Sequence, residues 1–155
     1  MPKINAYVDF YPGWAIQANA YGIHTSDAYV LIDPVVGPDR LEADLADQVR
    51  MLVSTHGHFD HNLSAEAWLK HRPDLPFYMS QADSNMAQDE TKNVSALFGM
   101  PMTYPEPQQF LVEGQRLALD KQLSLEVFSS PGHSPGSVLL LLKDGAKNIA
   151  LFTGD

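Results

Sequence analysis

The alternation of apolar and polar positions gives a first half of mixed elements and a second half of strands. Trp14 to Ala20 alternates loosely and predicts a strand, and Tyr21 to Asp27 carries turn residues. AYVLIDP (Ala28 to Pro34) is a β-rich apolar run closed by Asp-Pro. Between Pro38 and Gln48, Leu41 and Leu45 stand four apart among charges, which predicts a short amphipathic helix. VRMLVST (Val49 to Thr55) has the pattern of a short buried strand. Ser64 to His71 predicts a second helix, capped by Ser64 and stopped by Pro73 and Pro76. PFYMS begins another strand, a polar helix is expected near Ala82 to Gln88, and a proline-broken loop covers 100–107. LSLEVFSS, SVLLLLKD and KNIALFTGD then predict three strands, joined by PGHSPG and by the turn DGAK.

The length of 155 residues predicts a single domain over 1–155. A net charge of −9 argues against nucleic acid as a partner, because phosphate backbones reward basic surfaces. The absence of cysteine leaves nitrogen and oxygen as the only donors for a metal. No stretch has the length of a membrane span, and MPKINAYVDFYPGW lacks an apolar core of signal-peptide length, so a cytoplasmic protein with no membrane partner is expected.

The chemistry concentrates at the end of the buried strand 49–55, a favoured place for sites in α/β architectures. There STHGHFDHN sets His56, His58, Asp60 and His61 within six positions. Residues two apart at a strand end project to one side, so His56 and His58 can reach one ion. Asp60 and His61 follow on the turn and can face a second. Such a donor set suits zinc. Two further strands end in a candidate donor: His133 lies in a turn bracketed by Pro131-Gly132 and Pro135-Gly136, and Asp155 follows Gly154, which lets the backbone turn tightly. His71 at a helix end suits the helix dipole better than a metal, and His24 in a polar turn is expected to be exposed. Phe10, Tyr11 and Trp14 fit core or edge packing better than the rim of a substrate cleft.

In this order, TH-x-H-x-DH, PGHSPGS and LFTGD resemble the metallo-β-lactamase superfamily over nearly the whole chain, the VLIDP strand included. The resemblance implies an α/β fold, the αββα sandwich, with a metal site at one edge of two packed sheets. It further implies that His56, His58 and His133 hold a first metal, that Asp60 and His61 hold a second, and that Asp155 bridges the two. Asp33 is then expected either to hydrogen-bond behind the metal loop or to serve an Asp-Pro turn. Where the family has a small residue and glycines after DH, this chain has Asn62-Leu63-Ser64, which alters the start of the helix but removes no ligand. Family members also continue past the last motif and supply one more histidine, for which neither His24 nor His71 is placed. The expectation is a fold lacking its C-terminal part, or completed by another chain, with self-association to cover apolar surface.

Two zinc ions so held, with iron as the alternative metal, would provide hydroxide at neutral pH, and Asp60 would take a hydrogen bond from it and move its proton. The motifs most resemble the glyoxalase II-like thioesterases, which act on S-acylglutathione conjugates. The expected function is thioester or ester hydrolysis of a small-molecule substrate. Two alternatives remain open: a mononuclear iron dioxygenase acting on a persulfide, with His56, His133 and Asp155 as its metal face, and a metal-binding domain without activity.

Overall fold

The computed structural model describes residues 3–155, so the first two residues of the segment read for a leader lie outside it. Ten strands form two sheets. In the first, β1 (Val8–Tyr11), β2 (Ala20–His24), β3 (Tyr29–Ile32), β4 (Val49–Val53), β5 (Phe77–Ser80) and β6 (Gln109–Leu111) lie side by side in chain order. The pairs β1/β2 and β2/β3 are antiparallel, whereas β3 to β6 run parallel. In the second sheet β10 (Lys147–Phe152), β9 (Val138–Asp144), β8 (Leu123–Ser129) and β7 (Arg116–Ala118) are antiparallel throughout.

The two sheets pack face to face over Val8, Ile23, Ile32 and Val53 from one side and Leu125, Val127, Leu140 and Phe152 from the other. These alternate along their strands, as a shared inner face requires. The opposite face of the first sheet presents Tyr29, Leu31, Leu52, Phe77 and Met79 to a layer built from α1 (Ala43–Ala46), α2 (Ala65–His71) and the loops around them. Strands β3 and β5, buried on both faces, explain the continuous apolar runs YVLI and FYMS. Helix α3 (Gln81–Ala87) begins directly where β5 ends. Among the described residues the layers are thus helix, sheet, sheet, three of the four in the expected sandwich, and no helix covers the outer face of the second sheet.

Several local expectations are corrected. The segment from Trp14 is a loop, and the strand begins at Ala20 and runs through the residues read as a turn. Gly22 belongs to that strand: a side chain there would collide with the Tyr29 ring, so the glycine makes room for a neighbour. Consequently His24 is on β2 and half-buried, its Nε2 2.7 Å from Asp9 Oδ2. The single helix expected over 38–48 is a 3-10 turn at Pro38–Arg40 and the four residues of α1, because Leu41 between them is extended and turns its side chain into the core. Ser64 stands at the start of α2 but caps nothing; its hydroxyl donates to the Val35 carbonyl. Strands β1, β6 and β7 are short and were not distinguished by pattern. Tyr11 is buried and Phe10 packs on Tyr21, as expected for core or edge residues, whereas Trp14 is 81% exposed.

Candidate metal centre

The C-terminal ends of β3, β4 and β5 meet the β8–β9 loop and the end of β10 at one edge of the sandwich. A backbone hydrogen bond from Val138 to the Thr55 carbonyl (2.9 Å) pins the second sheet to the histidine-bearing loop of the first. The donor atoms of His56, His58 and His133 lie within 4.8 Å of one another, and so do those of His56, His61 and Asp155. His58 Nδ1 is 2.8 Å from His133 Nε2. The Asp155 carboxylate divides its oxygens, Oδ1 lying 3.2 Å from His61 Nε2 and Oδ2 3.8 Å from His133 Nε2. Asp60 Oδ2 is 3.8 Å from His61 Nε2. Every residue singled out by the sequence pattern therefore reaches the same cluster, while His71 and His24 lie outside it. Gly154 places Asp155 by adopting φ +61°, a left-handed turn, against the Thr55 side chain.

A chain of hydrogen bonds sets the ring of His56. Asp33, at the end of β3, accepts from the Thr55 backbone N–H (2.7 Å) and from its hydroxyl, and also lies 2.9 Å from His61 Nδ1. It thus takes the role behind the metal loop, and its carbonyl also receives the Val35 N–H of the following turn. With its proton turned to Asp33, the Thr55 hydroxyl is left to accept from His56 Nδ1, 3.1 Å away. That tautomer leaves the buried Nε2 of His56 as a bare lone pair, and no polar partner among the described residues meets it. A buried acceptor without a partner is costly, and a cation among these nitrogens and carboxylates would satisfy it. The residues fit a metal.

The electrostatics of His56 and His58 agree with that reading. Burial, reinforced by the neighbouring rings of His61, His58 and His133, pushes His56 down to about 2, so it is neutral and ready to ligate. His58 is lowered by burial and by His133. For His61, burial opposes charge, but Asp33 prevails with Asp60 and Asp155, and the ring is raised to about 9. Burial raises the Asp60 carboxyl above its ordinary range, against the pull of His61.

Two positioning residues escaped the sequence pattern. Asn62, fully buried, donates to the carbonyls of His56 (3.0 Å) and His58 (2.8 Å) and accepts from the Ser54 hydroxyl, stitching the loop from inside. Its one signal is the departure from a small residue after DH. Asp83, also fully buried, joins the two histidine loops: it accepts from Gly57 N (2.8 Å) on one and from Gly136 N (2.6 Å) and the Ser134 hydroxyl on the other. In sequence, Ser80-x-x-Asp83 resembles a capping box, and Ser80 does cap α3 through Asp83 N, so nothing local announces the longer reach of the carboxylate.

Comparison with known proteins follows the same residues. The probable metallo-hydrolase YqgX of Bacillus subtilis is 31% identical over 137 residues, covering 86% of this chain and 64% of that protein. The hydroxyacylglutathione hydrolase GloC of Haemophilus influenzae is 29% identical over 156 residues, covering 96% of this chain and 70% of the relative. Among solved structures, TTHA1623 in a di-iron-bound form superimposes with a TM-score of 0.64 at 31% identity, covering 79% of this chain and 60% of that one. The chain thus spans about two thirds of the length of the relatives it matches. The family description "Metallo-beta-lactamase superfamily" matches residues 13–155, which include every strand end that meets at the histidines, and the chain belongs to that superfamily.

Proposed function

We propose that the protein is a metal-dependent hydrolase of thioesters or esters, with S-acylglutathione conjugates among its candidate substrates. The observation that carries this reading is that two donor groups meet at His56, whose buried Nε2 has no partner among the described residues. His56, His58 and His133 would hold one ion, and His61, Asp60 and Asp155 a second, with zinc as the proposed metal. A di-iron relative makes iron the alternative. With His56, His58 and His133 given to one ion, His61, Asp60 and Asp155 remain as a second set of donors, which favours the two-ion hydrolase over the single-iron dioxygenase. Bound metal supplies a water acidic enough to attack at neutral pH and a Lewis acid for the carbonyl oxygen.

The chain's own part is orientation and proton handling. Asp60 turns Oδ2 toward His61, which leaves Oδ1 to accept the proton of the attacking water. The carboxylate can hold that proton and return it to the leaving sulfur or oxygen as the acyl bond breaks. Asp33 and Thr55 keep the His56 ring from turning away. The similarity to GloC supports the thioester class. The test is to strip the protein with a chelator, verify metal near zero and assay thioesters before and after zinc or iron is restored. Loss and recovery of turnover are expected, and full turnover of metal-free protein would refute the hydrolase.

A further inference from the structure

The donor cluster forms one wall of a cleft of about 320 Å³ shared by His58, Asp60, His133 and Asp155. The facing wall is apolar: Ile16 from the β1–β2 loop, and Val94, Leu97 and Phe98 from the 3-10 turn Ser95–Phe98 and its cap. Leu97 is 81% exposed, Phe98 53% and Ile16 39%. Large apolar side chains left open beside a reactive centre mark a binding surface. Phe98 is held in place by the Phe59 ring at 5.2 Å, so this wall is anchored to the metal loop itself.

The backbone of both wall segments is strained. Ala15, next to Ile16, has φ 56°, and Val94, a β-branched residue, has φ 62°. Left-handed conformations in residues other than glycine persist where the surroundings enforce them, and they gather at ligand clamps. Among the described residues no lysine or arginine lines this cleft. On the other side of His58 and His133 a second cleft, of about 430 Å³, carries Asn85 and Lys92. A third cleft, of about 350 Å³, opens beside His61 and Asp155, so a substrate whose carbonyl lies at the donors has three places for its arms, and the one beside His58, Asp60 and His133 has the apolar far wall.

We infer that the apolar cleft seats the acyl arm, and that the enzyme takes aliphatic or aromatic acyl groups of several carbons in preference to acetyl or short hydroxyacyl groups. This rests on the hydrolase reading. Each methylene fully withdrawn from water is worth a factor of about four in binding, and in a half-open cleft about two. Four methylenes then give roughly sixteenfold.

The experiment compares acetyl, lactoyl, hexanoyl and benzoyl thioesters of N-acetylcysteamine on the metal-loaded protein. Calorimetric binding of acetate and hexanoate, with and without added zinc, gives a readout independent of turnover. A kcat/KM for hexanoyl at least about tenfold above acetyl is expected, with the preference lost in Leu97→Ser. Leu97 is too exposed for that change to unfold the chain, and Val112→Ser, also exposed but just past the end of β6, should keep the preference. Turnover without a length preference, or with lactoyl favoured, overturns the inference and leaves the hydrolase standing. No turnover, but tighter binding of hexanoate that Leu97→Ser removes, overturns the hydrolase and supports the apolar subsite. Neither turnover nor length-dependent binding overturns both.

Discussion

Replacing Asp83 with asparagine preserves the shape of the side chain while exchanging one carboxylate oxygen for an amide nitrogen. The native carboxylate takes Gly136 N–H on one oxygen, and Gly57 N–H with the Ser134 hydroxyl on the other. An amide can serve only one of the two sides. If its oxygen faces Gly136, its nitrogen meets Gly57 N–H; if it is reversed, the nitrogen meets Gly136 N–H. The Ser134 hydroxyl can rotate to adapt, since Ser137 Oγ lies 2.6 Å away, but a backbone N–H cannot. One buried donor is stranded in either orientation, at about 1–3 kcal/mol. For a chain of this length 2 kcal/mol lowers Tm by roughly 4–8 °C. The stranded donor is on a loop that carries His58 or His133, so zinc affinity should fall about 10–100-fold, the usual effect of removing a partner behind a ligand. Asp83→Ala strands both N–H groups, at about 2–6 kcal/mol, which approaches the whole stability of a small domain. The assay is thermal unfolding with and without zinc, paired with competitive zinc titration. An asparagine variant with wild-type Tm and wild-type zinc affinity would refute the clamp.

His58→Ala should lose metal and activity together, whereas His71→Ala, at the exposed end of α2, should cost about 0.3–1 kcal/mol and leave metal content unchanged; equal loss of metal in both variants would mean the site is misplaced. His61 predicts a pH dependence of opposite sign for folding and for metal binding. Its raised value, about 9 against 6.5, means that the stability it adds to metal-free protein is complete below pH 6.5 and is lost as pH rises through 9. Zinc binding needs its Nε2 bare and so releases a proton at neutral pH; zinc calorimetry in two buffers of different protonation enthalpy reads that proton, and no release contradicts the protonated ring.

The donors could be read from the sequence because they are compressed: His56, His58, Asp60 and His61 lie in one turn after a strand whose apolar run is unmistakable. The parallel strands β3, β4 and β5 were legible as apolar runs, whereas β6, short and mostly exposed, was not. What was not legible depends on distant neighbours. Gly22 reads as a turn residue until the Tyr29 ring occupies its missing side chain. Leu41 and Leu45 share a helical spacing, yet the core takes Leu41 by unwinding the chain between them. His24 appears to be an exposed turn residue until β1 brings Asp9 against it. Asp83 carries a local signature that is true of its backbone and silent about its carboxylate. Trp14 failed in the other direction, an aromatic that packs into no core.

The wide spacing of the donors along the chain sets an order of events. His58 meets His133 across 75 positions, and His61 meets Asp155 across 94. Closing loops of that length carries an entropic cost met before either contact forms, and pairings so remote make folding slow. The cluster is therefore complete only when the second sheet docks, His133 arriving with the β8–β9 loop and Asp155 with β10. Before then a metal would find His56 and His58 but not the partners from the second sheet. An ion held by the whole cluster would add a tie between the first sheet and the second beyond their shared apolar core, so its removal should loosen that edge while the core still holds the sheets together.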